Sequence, residues 1–180
     1  MEPDPSRAVV VTGAAGDMGG ALCRAFLAGG FRVYGADVVA VEPMPALVPV
    51  VLDVTDRAGV QALADRVAAE ALPWAWVNGA GVFVAGPVRE ASSADWDRII
   101  AVNLTGTFHG CAAALPMLAA AGGGRIVNIG SLSGQIGGVA VHPAYGASKA
   151  GVHALTKTYA LEGAKHGNRS RGPAVELKRR

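Results

Sequence analysis

Residues 9–22, VVVTGAAGDMGGAL, run from a short apolar stretch into glycines at 13, 16, 19 and 20 and then into helical spacing. Ala8 to Val11 have the pattern of a strand covered on both faces, short, apolar and ended by a turn. Leu22, Ala25, Phe26 and Gly29 then recur on one face of a helix. Strand, glycine turn and helix in that order open a βαβ unit, and the chain keeps alternating in the same way. FRVYGAD (31–37) and VPVVLDV (48–54) read as the next two strands, with Val60, Leu63, Ala64 and Val67 as a second helix face. WAWVNGAG (74–81) is a fourth strand entering a glycine turn. A long helix is expected over 94–119, opened by SSADWDR (92–98), where Ser92 or Ser93 caps the first turn beside Asp95 and Asp97. GRIVNIGS (124–131) is the fifth strand, and a last helix runs from about Pro143 to Glu162. This alternation folds as one α/β domain, a parallel sheet with right-handed crossovers. Neither repeats nor a linker divide it.

A chain of 180 residues suffices for such a domain and its core. It is 51% apolar with 25 glycines, which suits helices packed closely on a sheet. No apolar run in the sequence approaches a membrane span. MEPDPSRAVVVTG (1–13) is acidic and Pro-containing where a signal peptide is basic. Cys23 and Cys111 are isolated, so no disulfide framework is expected and a reducing, cytoplasmic setting is the default. Charge is uneven: residues 165–180 hold six of the sixteen basic residues and one of the fourteen acids, leaving a body of net −3. Residues 168–180 therefore read as a basic, disordered tail following a domain over 1–167. No aromatic interleaving or nucleic-acid module accompanies the tail, so neither nucleic acid nor membrane is expected as a partner.

A glycine turn between strand and helix lets backbone amides approach a pyrophosphate, and the helix N-terminus adds favourable partial charge. Asp37 follows Gly13 by 24 residues, where a dinucleotide site places a carboxylate on the adenosine ribose. No Arg or Lys lies in 38–41 or in the glycine loop to receive a 2′-phosphate, which favours NAD over NADP. Gly13, Asp37, Asp53, Asn78 and Ser131 each fall at the C-terminal end of a predicted strand, the edge along which open parallel sheets bind ligands. Asn103 lies in the stripe Trp96, Ile99, Ile100, Asn103, so its amide faces the sheet and needs a buried partner. Tyr145 and Lys149 are one helical turn apart and share a face. A phenol is a poor base at neutral pH. A neighbouring ammonium and a cationic nicotinamide ring would both favour the phenolate, fitting Tyr145 to exchange a proton with a hydroxyl/carbonyl pair. No metal site is expected.

Together these motifs resemble the short-chain dehydrogenases/reductases. The matching features, in order, are TGAAGDMG (12–19), Asp37, LDV (52–54), NGAG (78–81), Asn103, IGS (129–131) and YGASK (145–149), covering residues 7 to about 167. The resemblance implies a Rossmann-type doubly wound parallel sheet, a nicotinamide cofactor, and hydride transfer between a small alcohol and its ketone or aldehyde. It implies that Tyr145 is the acid/base, that Lys149 assists it and holds the nicotinamide ribose, and that Ser131 orients the substrate. Asn103 would carry a water linking Lys149 to solvent. Gly13, Gly16, Asp17, Met18 and Gly19 would cradle the cofactor, Asp53 and Val54 would flank the adenine, and Asn78, Ala80 and Gly81 would line the cleft. The family usually pairs through the helices at 94–119 and 143–162, which implies a homodimer or homotetramer.

The sequence departs from the family in three places. Asp17 replaces the second glycine of the common T-G-x-x-x-G-x-G, although residues 12–19 fit completely the T-G-x-x-G-x-x-G of larger members. NGAG stands where N-N-A-G is usual. After the last helix, family members continue with a strand, a Pro-Gly turn, a substrate loop, a helix and a final strand. NRSRGPAVELKRR (168–180) contains no apolar run. The expectation is a truncated domain of about five strands lacking the family's last two, with RIVNIG (125–130) left as an apolar edge. A rival reading is a catalytically impaired dinucleotide-binding remnant without a complete substrate pocket. SGQIGGVAVHPA (133–144) would line that pocket, with His142 either touching substrate or facing water.

Overall fold

The computed structural model describes residues 6–165 and the backbone of residues 169–171. Among these, six parallel strands form one sheet: β1 (Arg7–Thr12), β2 (Arg32–Asp37), β3 (Leu47–Val51), β4 (Leu72–Asn78), β5 (Arg125–Asn128) and β6 (Arg169–Arg171). Their order is β3-β2-β1-β4-β5-β6. Helix α1 (Asp17–Ala28) joins β1 to β2, and α2 (Arg57–Glu70) joins β3 to β4. The chain thus builds outward to β3 and returns to place β4 on the other side of β1. That reversal opens a crevice beyond the C-terminal ends of β1 and β4.

Both faces of the sheet are apolar because both are covered. Ala8 and Val10 pack with Tyr34, Trp76 and Ile126 against Val60, Leu63 and Val67 of α2. Val9 and Val11 pack with Val33, Ala75 and Val77 against Cys23 of α1. Alternate side chains therefore go to opposite cores, which is why residues 9–11 show no polar alternation.

Between β4 and β5 runs a continuous helical stretch: α3 (Ser93–Ile99), a π-helical segment Ile100–Thr105, and α4 (Gly106–Ala120). The sequence reading of one regular helix over 94–119 is corrected by this π segment. Ser92 is the cap, its Oγ accepting from the Asp95 amide at 3.0 Å and donating to the Asp95 carboxylate at 2.7 Å. Along the predicted stripe Trp96 is 42% exposed while Ile99 and Asn103 are fully buried. Taken as one run, Ser93–Ala120 is long and apolar enough to cross a membrane, contrary to the sequence reading. Here Ile99, Cys111, Ala114 and Leu118 are instead buried within the domain.

After β5 come a single helical turn, α5 (Ser133–Ile136), and the long α6 (Pro143–Ala164). His142 caps α6, with Pro143 at its first position. The Nδ1 atom accepts from the Ala144 amide at 3.2 Å, so the ring proton sits on Nε2, which donates to the Ser92 carbonyl at 3.1 Å. The ring is 4% exposed, so it neither touches the cleft nor faces water, and both expectations for it are corrected.

The sheet edge also differs from expectation. Residues 169–171, assigned from sequence to a disordered tail, pair in parallel with Arg125–Val127 of β5. The apolar fifth strand is therefore not the edge along that length, and the edge passes to a short strand of sequence RSR. Such a strand pairs through its backbone and carries no hydrophobic alternation for the sequence to show. Residue 168 and residues 172–180 of the expected tail lie outside the described residues.

Candidate active site

The turn after β1 is built from close approaches. Gly13 has φ +74°, and a Cβ there would lie 2.8 Å from the backbone of Ala80. A Cβ at Gly19 would overlap the Gly13 carbonyl, so α1 seats directly on the turn. Gly16 is the N-cap of α1 and no side chain caps the helix. Its first-turn amides therefore lack side-chain partners. Gly13, Gly16, Asp17, Met18 and Gly19 all line one cleft of about 700 Å³ at the C-terminal edge of the sheet. Thr12, which sequence reasoning passed over, pins the facing turn: its Oγ1 accepts from the Gly79 and Ala80 amides at 3.1 and 3.2 Å.

Asp37 and Asp53 lie in the same cleft. The Asp37 carboxylate accepts from the Ala15 amide at 3.0 Å and from the Val39 amide at 3.3 Å, so it also holds the glycine loop to the end of β2. Asp53 Oδ1 accepts from the Thr55 amide and hydroxyl, both at 2.8 Å. Val54, Ala80 and Gly81 line the same wall.

Asn78 does not, and its assignment is corrected. Its side chain turns beneath the sheet, 5% exposed, into a chain of buried hydrogen bonds. Asn78 Oδ1 accepts from Trp76 Nε1 at 2.8 Å, its Nδ2 donates to Asn128 Oδ1 at 2.8 Å, and Asn128 Nδ2 donates to Thr156 Oγ1 at 3.0 Å. Cys111 borders the network, and burial pushes its thiol up to about 12. Two amides and an indole N–H satisfy one another here, as buried polar groups must.

Asn103 sits in the π segment with its carboxamide fully engaged. Oδ1 accepts from the Val82 amide at 2.7 Å, and Nδ2 donates to the Val82 carbonyl at 2.9 Å and Ser148 Oγ at 3.3 Å. Thr107 Oγ1 donates to its main-chain carbonyl at 2.7 Å. The Asn103 side chain clamps the loop after β4 onto the helices, acting as a positioning residue.

Tyr145 and Lys149 reach the cleft from α6. Gly81 stands beside them, where a Cβ would lie 3.4 Å from Asn103 Oδ1 and 3.8 Å from Lys149 Nζ. The Tyr145 ring meets Phe83 edge-on at 5.2 Å, and Lys149 Nζ lies 5.8 Å from the Tyr145 ring centroid. Ser131 Oγ accepts from the Ser133 amide at 3.2 Å, and Ser131, two residues beyond Ile129, is not among the residues lining the cleft. Sequence reasoning also missed Phe83, Arg98, Val102 and Ile129 as cleft residues. The apolar loop directly after NGAG was the available signal for Phe83.

Lys149 is 5% exposed, and Nζ donates to the Ile129 carbonyl at 2.7 Å. Desolvation lowers its ammonium to about 8. Between about pH 8 and 10.4 the unfolded chain keeps this proton and the folded chain does not, so stability rises with pH across that window. At pH 7 the buried charge costs the fold on the order of 3 kcal/mol, against about 1.5–3 kcal/mol for the charge-assisted bond to Ile129. Lys149→Met is therefore expected to raise the melting temperature at pH 7, by an amount that shrinks toward pH 10. Melts at both pH values check this, and a less stable Met variant at pH 7 contradicts it.

A family model of the short chain dehydrogenases matches residues 7–171. The chain is 39% identical over 168 residues to a D-threitol dehydrogenase of Mycolicibacterium smegmatis, covering 87% of this chain and 64% of that protein. It is 38% identical over 164 residues to a 3-alpha-(or 20-beta)-hydroxysteroid dehydrogenase of Mycobacterium tuberculosis, covering 87% and 63%. A sorbitol dehydrogenase of Cereibacter sphaeroides is 36% identical over 174 residues, covering 89% and 66%. The chain thus spans less than two thirds of the length of these curated relatives. Its fold superposes with TM-score 0.79 and 29% identity on a chain described as an NAD(P) dependent gluconate 5-dehydrogenase from Beutenbergia cavernae, solved with NADP at low occupancy, covering 92% of this chain and 71% of that one. The fold, the glycine turn and the Tyr145–Lys149 pair in one cleft agree with the family match, and the chain belongs to the short-chain dehydrogenases.

Proposed function

We propose that this chain carries the cofactor and acid–base half of an NAD-dependent oxidoreductase that interconverts a small alcohol and its carbonyl compound. The observation that carries the proposal is a buried Lys149 ammonium beside Tyr145 in the same cleft as the glycine turn and Asp37. The residues suit a dinucleotide: glycines 13, 16 and 19 leave backbone amides unobstructed, and Asp37 and Lys149 lie in the same cleft to receive ribose hydroxyls. A bound nicotinamide would supply or accept the hydride. Tyr145 Oη gives or takes the proton at the substrate oxygen, and the nearby Lys149 charge stabilises the phenolate left behind. Asn103 keeps the loop bearing Gly81 and Phe83 in register with α6. Ser131, as the family resemblance suggests, orients the substrate.

The charges of the wall support NAD over NADP. Asp17, Asp37 and Asp53 line the cleft against Arg98 and Lys149, and Asp37 is followed by Val38 and Val39. A 2′-phosphate would meet the Asp37 carboxylate there, and residues 38–41 supply no Arg or Lys. NADH at 100 times its Kd is expected to stabilise the chain by about 2.7 kcal/mol, and NADPH at equal concentration by less. Thermal melts with each read this directly. An equal or larger shift with NADPH removes the NAD preference, and no shift with either removes the cofactor reading.

The names of the relatives support a small alcohol or ketone as substrate. Pairing as a homodimer or homotetramer through α4 and α6, and a cytoplasmic setting for the free, buried Cys23 and Cys111, belong to the same proposal. The position of Ser131 outside the cleft wall favours a second reading, binding of the dinucleotide without turnover. An NADH-induced melt shift with no turnover on any alcohol decides for that reading.

A further inference from the structure

We infer that the substrate carries its hydroxyl or carbonyl on an apolar ring or alkyl body, not on a polyhydroxylated one, and that Phe83 selects it; this rests on the function proposed above. The carboxylates of the cleft, Asp17, Asp37 and Asp53, stand at the start of α1, at the end of β2 and after β3, while of its cations Arg98 stands on α3 and Lys149 beside Tyr145 on α6. Beside Tyr145 and Lys149 the wall is Gly81, Val82, Phe83 and Ile129, which bring no polar side chain. Phe83 is 58% exposed, and its ring stands edge-on against the Tyr145 ring. A substrate presenting its oxygen to Tyr145 therefore lays its body beside an open aromatic ring.

The two loops nearest Tyr145 extend the same character. Residues 81–88 and 132–142 are tied by Gly86 N donating to the Ala140 carbonyl at 3.0 Å, by His142 N donating to the Val84 carbonyl at 3.0 Å, and by an antiparallel bridge between Ala85 and Val141. Among the side chains of these loops only Ser133, Gln135 and His142 can hydrogen-bond. Both ring nitrogens of His142 are engaged and buried, and Gln135 borders a different cavity beside His153 and Lys157. Of the large side chains the loops leave exposed, Phe83, Leu132, Ile136 and Val139 are apolar and Gln135 is polar. Hydroxyls along a polyol would find few partners here, and each one buried unpaired lowers affinity about five- to hundredfold.

Binding of ketones in the presence of saturating NAD⁺, with which a ketone does not react, tests this without turnover. The bicyclic ketone 2-decalone is expected to raise the melting temperature above that of the NAD⁺ complex at concentrations at least tenfold below those D-fructose needs. Phe83→Ser is expected to raise the 2-decalone concentration required about tenfold, with a melt of the same variant in NAD⁺ alone separating any change in cofactor binding from the change in ketone binding. Fructose binding as well as decalone, no shift with decalone, or a preference untouched by Phe83→Ser overturns the inference. Failure of NAD⁺ itself to move the melt is a separate result, which removes the proposed function and this inference with it.

Discussion

Tyr145→Phe is expected to lower kcat for alcohol oxidation by about 10²- to 10⁴-fold, the usual worth of a positioned acid or base, while leaving the NADH-induced melt shift intact. The variant is clean because the ring is held independently of its hydroxyl. The Tyr145 amide donates to the His142 carbonyl at 2.9 Å, and Phe83 packs edge-on against the ring. Phenylalanine keeps that packing and loses only the hydroxyl proposed to exchange the proton. Lys149 stays buried on the Ile129 carbonyl, so the cofactor side of the cleft is unchanged. Steady-state rates over a panel of secondary alcohols, with melts on the same samples, separate chemistry from binding. Turnover that survives the substitution removes Tyr145 from the mechanism.

Gly110→Ala is expected to destabilise the domain by about 2–5 kcal/mol, although helix propensity alone gives the opposite sign. Alanine in a helix interior is favoured over glycine by about 1 kcal/mol. A Cβ at Gly110 would overlap Asn78 Oδ1 and lie 2.8 Å from Trp76 Nε1. Overpacking a core costs about 1–3 kcal/mol, and breaking the Trp76–Asn78 bond leaves buried donors and acceptors unpaired at about 1–3 kcal/mol each. Denaturant unfolding of the two proteins decides the sign. A variant as stable as the parent would mean that α4 shifts away from β4 without penalty. Asn78→Ala then offers a second view of the same network, since it removes the atom that Gly110 makes room for.

Much of this site was legible along the chain because its parts are local. The glycine spacing at 13, 16 and 19 reports a turn, and Asp37 reports the end of the next strand. Tyr145 and Lys149 share a face because a helix repeats every 3.6 residues. Asn78 was misplaced for a different reason. It stands at a strand end, where the sequence can only say that it is near the cleft, and its orientation depends on Trp76, Asn128 and Cys111. Asn128 is 50 residues away in sequence, and no periodicity encodes that meeting. Asn103 was correctly read as buried, but its partners Val82 and Ser148 come from two other segments, and the π turn that presents it has no sequence signature of its own.

The sequence by itself determined the alternation of strands and helices, the parallel sheet apolar on both faces, the turn at Gly13 and the Tyr145–Lys149 pair. Each follows from side chains within a few residues of one another, whose spacing sets which face they share. Only the tertiary structure decided that β6 pairs with β5, that Asn78 turns beneath the sheet while Phe83 joins the cleft, and that Lys149 loses its water beside Ile129. Those outcomes depend on backbone hydrogen bonds and on desolvation, which arise only when segments distant in the chain are brought together and water is excluded between them.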